Sequence, residues 1–161
     1  MKFLATFISL TLFCTPISAQ QLIFGIGYSD FSEGSALDAQ SFSIEYVGKP
    51  FREVGRLSVS LSAIASFDDE DNTFVGVGIT NLYDFTDRWF AELSLMPGVY
   101  LEGNPLNDLG NTLEFRSLLG LGFRVTETSA ISLAFDHKSN AGISTRNPGV
   151  NTLALRYHYN F

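Results

Sequence analysis

From Gln21 to Phe161 the chain alternates apolar and polar residues with a period of two, and it stops on an aromatic residue at the end of such a run. A period of two sends successive side chains to opposite faces of a strand, so each run has one continuous apolar face. Gly and polar clusters divide the pattern into eight runs: Leu22–Tyr28, Gln40–Val47, Arg56–Phe67, Thr73–Tyr83, Trp89–Leu101, Thr112–Arg124, Ser129–Ser139 and Val150–Phe161. The spacing predicts an all-β protein, and an even number of strands is what a single-chain bacterial barrel needs to close antiparallel.

Two architectures satisfy this pattern. A soluble sandwich turns the apolar faces inward, and a membrane barrel turns them to lipid. In the third run Leu57, Val59, Leu61, Ala63, Ala65 and Phe67 oppose Ser58, Ser60 and Ser62; in the sixth, Leu113, Phe115, Leu119, Leu121 and Phe123 oppose Glu114, Arg116, Gly120 and Gly122. The last run decides. Leu153, Leu155, Tyr157, Tyr159 and Phe161 share one face, with Ala154, Arg156, His158 and Asn160 on the other, and this ending resembles the C-terminal strand signal of bacterial outer-membrane barrels. Charged residues make up 17% of the chain against 45% hydrophobic, lean in charge for a water-soluble domain, where about a quarter is usual. The expected fold is an eight-stranded antiparallel transmembrane β-barrel of the outer membrane.

Residues 1–19 read as a secretory signal, with Lys2, the apolar run Phe3–Phe13, and a small-residue site at Pro16–Ala19. The mature barrel is expected over residues 20–161. The apolar run is too short to span a bilayer. Cys14, the single cysteine, lies in the segment to be removed, which excludes a disulfide framework, and it lacks the small residues that precede a lipidated cysteine. The formal charge of −7 without a basic stripe argues against nucleic acid as a partner.

An eight-stranded barrel is just filled by its own side chains, so no pore is expected. Glu45, Glu92, Glu114, Arg116, Arg124, Asp136, Arg156 and His158 have interior parity, where opposite charges must pair. With the N-terminus periplasmic, the turns Gly48–Gly55, Asp84–Arg88 and Thr126–Thr128 face the periplasm. The loops Ser29–Ala39, Asp68–Asn72, Glu102–Asn111 and Asn140–Gly149, longer on average, face outside. The acidic stretch Asp68–Asp71 reads first as a solvated loop and second as an attractor of divalent cations.

One departure from the apolar pattern carries chemistry. In the seventh run the lipid-facing residues Ile131, Leu133 and Phe135 are followed on the same parity by His137 and Ser139. Residues i and i+2 of a strand lie about 6.5–7 Å apart on one face, which lets an imidazole reach a hydroxyl. A polar pair there is either a rim feature in the headgroup zone or a base and a nucleophile placed where function outweighs fold. Neither Gly-x-Ser-x-Gly nor a zinc-type histidine set is present.

The stretch His137-Lys-Ser139-Asn140-Ala141-Gly142, followed by Asn147-Pro-Gly149 and the final strand to Phe161, resembles the C-terminal signature of the outer-membrane lipid A 3-O-deacylases, the PagL family. The specific match covers about 25 residues. The resemblance implies a serine esterase, without cofactor or metal, acting on lipid A of lipopolysaccharide at the outer-leaflet end of the barrel. His137 would be the general base and Ser139 the nucleophile, with Asn140 and the backbone N–H groups of Ala141 and Gly142 as oxyanion donors. That family places a glutamate in the last strand to orient the histidine, and the matching position here is Asn151. An asparagine carbonyl can hold an imidazole N–H but brings no charge; Asp136 points to the opposite face and Glu102 and Glu114 have interior parity, although loop geometry could bring Glu102 to the rim, and Asn151 ranks first. Lys138 points inward by parity and Arg146 lies in a loop, so both read as ordinary pore-mouth or surface charge rather than lipid A phosphate contacts. Two other expectations stand beside the esterase: a non-catalytic barrel of the same descent with a structural or surface-interaction role, and an adhesion barrel working through its outer loops.

Overall fold

The computed structural model describes residues 19–161, so the expected signal at 1–19 lies almost wholly outside the described residues. Eight strands, β1 (Ala19–Phe31), β2 (Ala39–Val54), β3 (Leu57–Asp68), β4 (Thr73–Asp84), β5 (Trp89–Leu101), β6 (Leu113–Arg124), β7 (Ser129–Ser139) and β8 (Val150–Asn160), pair each with the next. Antiparallel pairing of β1 with β8 closes the barrel. The expected strands are all present. Two differ substantially: β1 takes in Ser29–Phe31, expected in the outer loop, because these residues pair with β8, and in β2 residues 48–54, expected as a turn, continue the strand. Register shifts flank Pro50, where bulges accommodate a residue with no N–H to donate, and the reversal is confined to Gly55–Arg56, with Gly55 at φ +61°.

The parity is that of a membrane barrel. Leu61, Val77, Leu95, Leu119, Leu133 and Leu155 are exposed on the wall, whereas Ser60, Ser62, Glu92, Ser94 and Ser132 are buried inside. No water-soluble protein leaves so continuous an apolar girdle open. Aromatic pairs mark both margins of this band. Trp89 lies edge-on to Phe123 and Tyr159 lies against Phe161 at the short-turn end, and Phe42 stacks on Phe67 toward the loop end.

The interior is an ion network. Arg156 reaches Glu45 at 2.7 Å and Glu92 at 2.6 Å, Arg116 lies 3.5 Å from Glu45 and 3.6 Å from Asp136, and Lys138 meets Asp136 at 3.1 Å. Three carboxylates thus face three cations, as burial at low dielectric demands. Glu114 departs from the expected pairing: it is buried, and neither carboxylate oxygen has a hydrogen-bond partner. Ser132 joins Glu92 (2.7 Å) and His158 (2.8 Å). This Ser, His and Glu set looks like a hydrolytic triad but is sealed inside the barrel, every member no more than 2% exposed. Gly120 and Gly122 make room for the neighbouring strand's side chains; a Cβ on Gly122 would stand 2.1 Å from the Phe90 ring.

The loop end is closed by an apolar plug. Leu109, carried in by the β5–β6 loop, meets Phe31, Phe74, Met96, Tyr100 and Val150, and the Tyr100 hydroxyl donates to the Asn107 carbonyl at 2.9 Å. Each fully buried side chain of this kind contributes about 1.5–3 kcal/mol. The loops also bind one another. Arg146 pairs with Glu33 and Asp108, Asn111 donates to Ser144 at 2.8 Å, and Leu37 and Asn107 exchange two hydrogen bonds. In the acidic turn, the Asp68 carboxylate accepts from the Asn72 and Glu70 backbones, which makes it a loop brace.

Candidate active site

At the loop end of the lipid-facing wall four polar residues stand side by side. The register sets Ser117 of β6 opposite His137 of β7, His137 opposite Asn151 of β8, and Asn151 opposite Asp30 of β1. All four have outward parity: their strand neighbours Arg116, Leu118, Asp136, Lys138, Val150, Thr152, Ser29 and Phe31 are buried, and they themselves are not. One step nearer membrane centre the wall is apolar again, with Leu119, Phe135, Leu153 and Tyr28 exposed. One step farther out Ser139 follows His137 on the same face, cross-strand from Phe115.

Within this row Asn151 Oδ1 lies 2.8 Å from His137 Nδ1. An amide oxygen only accepts, so Nδ1 carries the proton and Nε2 is left with a lone pair. The ring is half-buried, and Gly149 forms part of its bed, since a Cβ there would come 2.9 Å from His137 Cε1 and 3.5 Å from Nε2. Gly149 sits at φ +73°, so both its backbone and the imbedded ring require glycine. Ser139 is half-buried and lies two residues along on the same face.

After Ser139 the chain reverses tightly. Ile143 N–H donates to the Asn140 carbonyl at 3.0 Å, and Ala141 and Gly142 have φ of +53° and +78°, a type I′ turn with a non-glycine residue in left-handed conformation. Asn140 organises this turn. Fully buried, it donates from its amide to the Leu109 and Arg146 carbonyls at 3.1 and 2.8 Å and accepts from Gly142 N–H at 3.1 Å, while its own N–H donates to Asn147 Oδ1 at 2.9 Å. Asn140, expected as an oxyanion donor, has its side-chain and backbone N–H groups engaged within the loop. Gly142 N–H is engaged too, whereas the Ala141 N–H has no partner among the described residues.

Lys138 points inward, 3.1 Å from Asp136 and 3.5 Å from Thr152, and Arg146 ties loops together. Hydrogen bonding to Glu33, with Asp108 beside it, holds the Arg146 guanidinium above its already high range. Sequence reasoning missed Ser117 and Asp30. Their outward parity was readable, but only strand register places them in line with His137. A recess of about 620 Å³, lined by Arg56, Asp84, Phe90 and Arg124 among others, opens at the opposite, short-turn end. The His137 row lies on the outer wall, where a molecule held in the membrane would meet it.

Fold and wall together define an outer-membrane β-barrel with a serine, histidine and asparagine group at the outer rim of its lipid-facing surface. The model of the lipid A 3-O-deacylase (PagL) family matches residues 42–160, and the chain belongs to that family. It is 42% identical over 53 residues to the lipid A deacylase PagL of Bordetella bronchiseptica, a stretch that is 33% of this chain and 30% of that protein. In fold it is similar to the outer-membrane enzyme PagL, with a TM-score of 0.71 and 17% identity over 88% of this chain and 99% of that one. Neisserial surface protein A is a second barrel of the same fold, with a TM-score of 0.54 and 18% identity over 89% and 96% of the two chains.

Proposed function

We propose that this protein is a lipid A 3-O-deacylase, a serine esterase that hydrolyses the ester-linked 3-hydroxyacyl chain at position 3 of lipid A in the outer membrane. The observation that carries the reading is the 2.8 Å bond from Asn151 to His137 Nδ1, with Ser139 two residues along the same lipid-facing wall, in a member of this family. A base oriented this way has no structural return on a surface otherwise given to lipid.

In this reading His137 Nε2 takes the Ser139 hydroxyl proton as Oγ attacks the acyl carbonyl. The Ala141 N–H, two residues after the nucleophile in a left-handed turn, would stabilise the developing oxyanion. Collapse of the tetrahedral intermediate breaks the ester C–O bond, and His137 returns the proton to the departing sugar oxygen. Water, deprotonated by the same imidazole, then releases the 3-hydroxy fatty acid from Ser139. Asn151 holds the ring in the reactive tautomer. The acyl chain runs down the wall over Phe135, Leu153 and Tyr28, all exposed to lipid. Residues 1–19 fit an export signal, and cleavage after Ala19 leaves Gln21 to begin the regular pairing of β1 with Asn160 of β8.

The test is mass spectrometry of lipid A from outer membranes incubated with the refolded full chain and with Ser139→Ala, His137→Ala and Ser117→Ala. Wild type is expected to remove one 3-hydroxyacyl chain, Ser139→Ala and His137→Ala to fall by about 10³-fold or more, and Ser117→Ala to remain within a few-fold of wild type. Loss of activity in Ser117→Ala alone would move the nucleophile to β6. Intact lipid A after incubation with folded wild type would refute the reading in favour of a non-catalytic barrel.

A further inference from the structure

We propose that Asp30 is a positioning residue of this site, a carboxylate on β1 that acts on His137 through the Asn151 amide; the inference rests on the esterase reading above. The register places Asp30 directly opposite Asn151 on β8, and Asn151 directly opposite His137 on β7, with all three on the outward face. Directly opposed residues on one face of an antiparallel pair have Cβ atoms about 4.5–5.5 Å apart. The Asn151 amide turns its oxygen toward β7, where it lies 2.8 Å from His137 Nδ1. Oδ1 and Nδ2 occupy opposite sides of a planar amide, so the two N–H donors project toward β1, where Asp30 stands. From these facing positions a change of the Asp30 rotamer, or one bridging water, would bring carboxylate and amide into hydrogen bonding.

An asparagine in this position has a weakness that a carboxylate does not. Its two ends are nearly alike in shape, and a flipped amide would present N–H to Nδ1, forcing the proton onto Nε2 and disabling the base. A carboxylate on the far side removes the ambiguity, because it attracts the N–H end and repels the oxygen end. It also polarises the amide toward His137 when the imidazolium forms. Several other charges near the rim are engaged elsewhere: Glu33 and Asp108 hold Arg146, Asp38 accepts from the Tyr28 hydroxyl and the Phe31 N–H, and Lys138 and Asp136 pair inside the barrel. The negative charge that the family resemblance expects at position 151 is thus present one strand away.

The experiment is a double-mutant cycle on the refolded full chain, measuring lipid A deacylation by wild type, Asp30→Ala, Asn151→Glu and Asp30→Ala/Asn151→Glu, with Asp30→Glu as the conservative variant. Asp30→Ala is expected to lower kcat about tenfold, the size of one charge-assisted hydrogen bond, with KM within twofold, and Asp30→Glu to recover most of it. In the Asn151→Glu background, Asp30→Ala should lose nothing or gain, because position 151 then carries its own charge and Asp30 opposes it. A second readout needs no activity: the Asn151 side-chain amide resonance of the protein in micelles should shift in Asp30→Ala and return toward wild type in Asp30→Glu. Equal loss from Asp30→Ala in both backgrounds, or an unmoved amide resonance, would overturn the proposal while leaving the esterase reading intact. A responsive resonance in a wild type that leaves lipid A whole would instead support the placement of Asp30 and refute the esterase.

Discussion

Replacing Gly149 by alanine isolates the contribution of histidine placement. The added methyl would stand 2.9 Å from His137 Cε1 and 3.2 Å from the Lys138 carbonyl. The carbonyl is held in the β7–β8 ladder, so the imidazole must yield by several tenths of an ångström. Movement of that size stretches and tilts the 2.8 Å bond to Asn151 and, in the proposed mechanism, carries Nε2 away from Ser139. Misplacement of a catalytic group by about 1 Å costs about 10²-fold, so kcat should fall by about 10- to 100-fold. The substitution also carries a backbone cost of about 1–2 kcal/mol for a non-glycine residue in left-handed conformation. Gly55→Ala supplies the control, because Gly55 has φ +61°, open space around it, and a position in the β2–β3 turn at the opposite end of the barrel. Release of 3-hydroxy fatty acid, quantified by mass spectrometry, reads activity, and heat-modifiable gel mobility with urea unfolding reads the fold. Both variants should lose similar stability and only Gly149→Ala should lose activity. Equal activity in the two would refute the claim that the Gly149 bed sets the imidazole.

Two further outcomes test the barrel itself. Arg156→Met takes the guanidinium from Glu92 and the nearer of two from Glu45, which keeps Arg116 at 3.5 Å, and leaving the buried Glu92 carboxylate without its cation should destabilise by about 3–5 kcal/mol in urea unfolding; replacing Glu92 by glutamine in the same variant should recover most of that. Leu133→Arg places a charge midway along β7 on the wall, 55% exposed, and should cost about 2–4 kcal/mol in a bilayer, whereas a soluble sandwich would show almost no change.

The period-two pattern was enough to define eight strands, the face each turns to lipid and the polar set inside, because side-chain alternation is a local property of an extended chain. It also put His137 and Ser139 together, since i and i+2 share a face whatever the rest does. Asn151 was legible by parity and position, as β7 and β8 form a hairpin whose ends must meet. Sequence alone did not reach the bulged end of β2, where pairing with β3 carries the strand past Pro50, nor the commitment of Asn140 to its loop, which depends on carbonyls at Leu109 and Arg146. It was also silent on Asp30. More than a hundred residues separate Asp30 from Asn151, and they meet because β1 and β8 close the barrel in one register; a shift of two residues would leave every face unchanged and take the carboxylate out of the row. Local alternation therefore determined the wall and its apolar face, hairpin pairing set Asn151 beside His137, and barrel closure decided which residue of β1 stands beside Asn151.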